Sequence, residues 1–123
     1  MNDLKPLCTN TTAMPWEERP NDVTGMSYYR KLLNIDEETG ARVSLHFYPR
    51  GFWTPWHTHP CSHGMYVLEG ILKTNEGSYG PGSFVWFPEG VVAEHGASEF
   101  TDLTVLFVTN KSFAINFLEE NNP

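Results

Sequence analysis

The chain has 123 residues, enough for one domain with its own apolar core and no need of disulfides or metal to fold. Hydrophobic residues make up 40% and aromatics 14%, which is a globular composition. A formal net charge of −7 with no block of Lys or Arg argues against nucleic acid and anionic membrane as partners, and no stretch approaches a membrane span.

Residues 1–27 read as an irregular arm, interrupted by Pro6, Pro15, Pro20 and Gly25, with Trp16 as the anchor that packs it on the domain or on a partner subunit. Its start contains Asp3 and no apolar run of signal-peptide length, so the expected compartment is the cytoplasm. A domain over 28–118 then opens on a strand from Tyr28 to Leu33, and the polar turn that follows ends at Gly40. Arg42 to Tyr48 alternates: Val43, Leu45 and Phe47 face one way, Arg42, Ser44, His46 and Tyr48 the other. His46 is therefore out of phase with the apolar face of its strand and reads as a surface or interface histidine rather than a ligand.

The stretch from Gly51 to Gly70 holds three of the five histidines. His57 and His59 differ by two positions, so an extended strand puts both imidazoles on one face, where a single metal ion could accept a nitrogen from each. His63 stands at the entrance of the next apolar run, from Met65 to Leu72. Cys8 and Cys61 are too few for a disulfide framework, and Cys61 reads as a small half-buried thiol.

Downstream, Thr74 to Gly77 is a hairpin turn. Ser83 to Phe87 is a short aromatic strand, and Val91 to Gly96 carries His95. Leu103 to Thr109 gives the strongest strand signal, Phe113 to Leu118 alternates again, and 119–123 reads as a frayed acidic tail. Seven to nine short strands with Gly- or Pro-marked turns, and no convincing long helix, point to an all-β antiparallel sandwich or barrel.

Gly51, His57, His59, His63 and Gly70 stand at the spacing of the first motif of the cupin superfamily, with His63 where Glu is usual. Gly82, Pro88 and Gly90 resemble the second motif. Its histidine position is Ala93 here, and His95 follows two residues later, a shift that keeps the same face of a strand. The Asn that commonly ends that motif is replaced by Glu99. The surroundings of Trp16, Lys31 and Gly40 are similar to the ChrR-type cupin domain and to small cupin dioxygenases that cleave β-diketones or hydroxyacetophenones. ChrR-type anti-sigma factors carry a further zinc-binding helical domain, with no counterpart in these residues, so an anti-sigma role is not expected.

The resemblance implies a double-stranded β-helix, a jelly-roll-like barrel of two packed antiparallel sheets, and a homodimer. It implies a metal held by His57, His59 and His95, with His63 either a fourth ligand or a donor behind them. The ion would be a divalent first-row transition metal, Fe(II) by preference, with Zn, Ni or Mn as alternatives. Glu89 is the candidate outer carboxylate, ahead of Glu94, and either can be a surface acid. An apolar lining is expected from among Phe47, Trp53, Trp56, Met65, Val67, Phe84, Trp86 and Phe107. The implied function is a metal-dependent oxygenase cleaving a C–C bond in a small enolisable or phenolic ketone. The alternative is a metallo-cupin that binds or senses a small ligand without turnover.

Overall fold

The computed structural model describes residues 3–118, and the expected tail at 119–123 lies outside them. Among the described residues, regular structure is β apart from one 3-10 turn at Thr11–Ala13. The strands are β1 (Glu17–Pro20), β2 (Ser27–Ile35), β3 (Arg42–Tyr48), β4 (Trp53–Thr58), β5 (His63–Glu69), β6 (Leu72–Thr74), β7 (Gly77–Tyr79), β8 (Phe84–Phe87), β9 (Ala93–Ala97), β10 (Leu103–Thr109) and β11 (Asn116–Phe117). They form two antiparallel sheets, ordered β1-β2-β3-β10-β5-β8 and β11-β4-β9-β6-β7. The fold is the expected jelly roll, but the sheets share no strand and do not close into one barrel. No helix among the described residues is long and apolar enough to cross a membrane.

Two differences from the sequence reading raise the strand number. The run from Met65 to Leu72 is not one strand. Gly70, at φ +85°, turns the chain from the larger sheet into the smaller, and a Cβ there would lie 1.9 Å from the Asp102 carbonyl oxygen. The arm is also less irregular than expected, because Glu17–Pro20 pairs with Ser27–Arg30 as an edge hairpin. Asn21 closes its turn, its side chain accepting from Val23 N–H at 2.9 Å. Pro20 ends an edge strand, where a missing donor costs nothing. Trp16 lies against Phe47 (ring centroids 5.9 Å) and under the Lys31 ammonium (4.5 Å).

The inner faces of the sheets meet over Phe52, Met65, Val67, Leu72, Leu103, Val105 and Phe107, all buried. β10 turns its odd-numbered residues inward, whereas its neighbour β3 reverses the usual distribution. Ser44, His46 and Tyr48 are buried, and Val43, Leu45 and Phe47 are the half-buried outer set. His46 is therefore not a surface histidine. Pairing with Val105 on β10 fixes which face of β3 looks inward, and alternation alone contains no such information.

Candidate metal centre

The smaller sheet supplies His57 and His95, and His59 follows directly after its strand β4. Thr54 and His57 on β4 are three residues apart and both point inward, because the β4–β9 register shifts between them. Pro55 sits in that shift, and its carbonyl accepts from His57 Nδ1 at 2.7 Å. His59, one residue past β4, donates through Nδ1 to the Ala114 carbonyl at 2.6 Å and stacks on Phe113 at 4.7 Å. A carbonyl can only accept, so both rings carry their proton on Nδ1 and present a bare Nε2 lone pair. His95 is opposite Thr54, and Ala93 is opposite His57, so the two-residue displacement keeps His95 on the inner face.

Ligating nitrogens of His57, His59 and His95 all lie within 4.8 Å of one another, and all three residues are buried. Nε2 of each has no hydrogen-bond partner. His63 enters from β5, across from the smaller sheet, with both ring nitrogens unpartnered. Its ring stacks on Phe87 (4.6 Å, 8°) and lies 4.5 Å from that of His59, but it is not in the converging set of three. A buried polar group left unpaired costs about 1–3 kcal/mol. Several converging on one point is an arrangement that a cation resolves, and an all-imidazole set suits a first-row transition metal. The residues fit such an ion.

Electrostatics keep the rings neutral. Burial lowers the pKa of His57 and, with the charge that neighbouring histidines would carry, depresses His59 to about 4 and His63 to about 3. His95 is lowered well below its ordinary value by burial and then by His57, His63 and His59. Neutral imidazole is the form that binds metal.

The histidines sit in a cavity of about 440 Å³, a volume suited to a small molecule. Of the expected lining, Met65 and Phe107 are present, joined by Phe52, Phe113 and Phe117. Val67 is core, Trp53 is half-buried, and Phe47 lies on the outer face of β3. Trp56, Phe84 and Trp86 are 43%, 55% and 49% exposed. β8 carries aromatics on both faces, so hydrophobicity could not tell Phe87, which is buried, from Trp86.

Sequence reasoning missed the polar wall. His46 stacks on Phe107 (4.2 Å) and lies within hydrogen-bond reach of Tyr48 OH through Nδ1 (2.8 Å) and of Ser44 Oγ through Nε2 (3.2 Å). Tyr28 stacks on Tyr48 (5.3 Å), and Arg19 and Arg30 complete this side. The signal was the wholly polar parity of Arg42, Ser44, His46 and Tyr48, which describes an inner face as well as an outer one. Glu89 is half-exposed, ion-paired with Lys111 at 2.6 Å, and not part of the cavity lining. Glu94 points away from His95 by alternation, as expected. Cys61 is fully buried rather than half-buried, and burial raises its thiol pKa.

Three solved structures with this architecture are distant in sequence and support the fold alone. An RmlC-like cupin from Ralstonia eutropha JMP134 is 18% identical, with a TM-score of 0.79 over 98% of this chain and 76% of that one. A candidate acetylacetone dioxygenase from Methylibium petroleiphilum PM1 is 11% identical (TM-score 0.79; 100% and 88% covered). The Rhodobacter sphaeroides complex of SigE with the anti-sigma ChrR gives 19% identity and a TM-score of 0.64, over 81% of this chain and 51% of that one. No match is found among curated proteins. The family model of the ChrR cupin-like domain matches residues 4–114, nearly the whole chain, and the protein belongs to that family.

Proposed function

We propose that the protein is a metal-dependent oxygenase acting on a small enolisable or phenolic ketone, with cleavage of a C–C bond. The observation that carries this reading is the set of bare Nε2 atoms on His57, His59 and His95, facing a cavity of substrate size walled by phenylalanines. The likeness in fold to a candidate acetylacetone dioxygenase supports it. When bound, a divalent ion such as Fe(II) supplies Lewis acidity and one-electron chemistry with O₂, and neutral ligands leave its charge available to an anionic substrate. His57, His59 and His95 hold the ion, Pro55 and Ala114 fix two of the rings, and His63 is the candidate fourth ligand. Phe107, Phe113 and Phe117 form an apolar wall beside the histidines. The Tyr48 hydroxyl, held by His46, is placed to orient a substrate oxygen.

A second reading, a metallo-cupin that binds or senses a ligand without turnover, draws on the match to the ChrR cupin-like family and on the lining itself. Asp22 is the one carboxylate among the described lining residues. Oxygen consumption by Fe(II)-loaded protein over a panel of β-diketones and hydroxyaryl ketones separates the two: uptake with one class supports the oxygenase, and none with any favours the binding module. Both readings include a homodimer, supported by Tyr66, Leu68, Phe84 and Trp86 exposed together beside edge strand β8. Sedimentation at micromolar concentration that gives only a 14.0 kDa species removes the dimer.

A further inference from the structure

The side of the cavity away from the smaller sheet carries a second chemistry. Arg19, Arg30 and Arg42 line it. Arg30 is the β2 partner of His46, so both side chains leave the sheet on the inner face. Arg19 is the β1 partner of Tyr28, one alternation from Arg30 on that same face. The Arg30 side chain is only 14% exposed. Its Nε and Nη2 both reach a single oxygen of Glu17, leaving the other donors of the fork for a ligand.

The charge balance here runs against that of the whole molecule. Three guanidinium groups set against the carboxylates of Asp22 and Glu17 leave one positive charge in excess, in a chain of formal net charge −7. Burial is the main cause of the lowered pKa of His46, and Arg30, then His63 and Arg19, lower it further, so the field of both arginines reaches the interior. A guanidinium fork matches a carboxylate in bidentate geometry. A single positive excess suits a monoanion, whereas a phosphate dianion would leave net negative charge beside Glu17 and Asp22.

We propose that Arg30, supported by Arg19, forms a carboxylate-binding subsite, so that the ligand of this cavity is a small oxo acid. Its carboxylate lies against the arginines and its carbonyl oxygens face His57, His59 and His95. The second half rests on the oxygenase reading, and the first does not.

The test uses 2,4-dioxopentanoate and pentane-2,4-dione, which differ by a carboxylate in place of a methyl group. Calorimetric titration of Zn(II)-loaded protein measures binding without turnover. The oxo acid should bind about tenfold or more tighter than the neutral diketone, as expected of a hydrogen-bonded charge pair. Arg30→Gln should reduce that advantage to less than about threefold and leave diketone affinity unchanged. Glu17→Gln, which releases Arg30, should raise oxo-acid affinity, whereas a merely structural Arg30–Glu17 pair would lower binding in both variants. Equal affinity for the two probes in the unaltered protein overturns the proposal. So does an advantage that survives the Arg19→Gln/Arg30→Gln double variant, or displacement of the oxo acid by inorganic phosphate as readily as by acetate. An oxo-acid preference in the Zn(II) form with no oxygen uptake in the Fe(II) form retains the subsite and removes the oxygenase. Uptake with the diketone and no preference removes the subsite alone.

Discussion

His46 and His57 are the same side chain at nearly the same burial, 2% and 1% exposed, yet their environments differ in kind. His46 has a hydroxyl at each ring nitrogen, from Ser44 and Tyr48. His57 has a carbonyl at Nδ1 and nothing at Nε2, and so resembles His59 and His95, whose Nε2 atoms are also bare. Burial alone does not mark a ligand. Unpaired buried nitrogens that converge on one point mark a candidate ligand set, because a bound cation would relieve the cost of leaving them without partners.

The comparison breaks most sharply on metal content. His57→Ala, His59→Ala and His95→Ala should each lower affinity for Zn(II) or Fe(II) by about a hundredfold or more, since a metal held by a depleted donor set loses its geometry. His46→Ala should leave occupancy within a few fold, measured by elemental analysis of dialysed protein. His63 lies between the classes, with two bare nitrogens but outside the converging triad. Loss of metal in His63→Ala, with retention in His63→Glu, would make it a fourth ligand. Full occupancy in His95→Ala with loss in His46→Ala would reverse the assignment of the two classes.

Acid should separate metal-free from metal-loaded protein. The histidine pKa values in the fold lie below the unfolded value of about 6.5, with His59 at about 4 and His63 at about 3. The native state therefore binds fewer protons than the unfolded chain. The stability this confers is complete above pH 6.5 and is lost as pH falls through the window down to about 4 and 3. The melting temperature of metal-free protein should drop by several degrees or more between pH 7 and 5. Bound metal should flatten that slope until protons compete for the imidazoles. A flat profile without metal would mean that the rings are not held neutral by burial.

The polar wall gives a smaller effect. His46→Leu leaves the Tyr48 phenol buried without its partner and should cost about 1–3 kcal/mol in urea unfolding. Adding Tyr48→Phe removes the stranded hydroxyl and should recover part of that loss, a coupling visible in a double-mutant cycle. Additive losses would mean that the contact does not couple the two side chains.

What the sequence disclosed follows from the range over which each signal acts. β3 and β10 were legible to the residue because alternation and β-branching are local. His57 and His59 stand at the spacing of the first motif, and His95, two residues past the second motif's histidine position, keeps its face by strand parity. The inward face of β3 was not legible, because Val43, Leu45 and Phe47 make as good a core stripe as Ser44, His46 and Tyr48 make a surface one. Only pairing with β10, some 60 residues away, decides between them. β1 was hidden for the same reason: Glu17–Arg30 and Glu18–Ser27 contacts hold it, and neither is visible within a tetrad that ends in Pro20.

Glu89 should give the smallest effect of all. Strand alternation turns Glu94 away from His95, which leaves Glu89 as the candidate outer carboxylate. In the fold its side chain is 49% exposed and faces Lys111, itself 48% exposed. A solvent-exposed ion pair contributes about 0–1 kcal/mol, because water screens the attraction and two long side chains lose freedom to form it. Its backbone N–H, which donates to Ser62 Oγ at 3.0 Å, is untouched by a side-chain change. Glu89→Gln should therefore shift stability by less than about 1 kcal/mol, and by less still in high salt. Metal content should stay unchanged, and oxygen uptake, where a substrate supports it, should retain its rate and pH profile. A variant with normal metal content but a rate reduced about tenfold or more would bring the carboxylate into the chemistry, and the ion pair with Lys111 would then be a resting arrangement that opens during turnover.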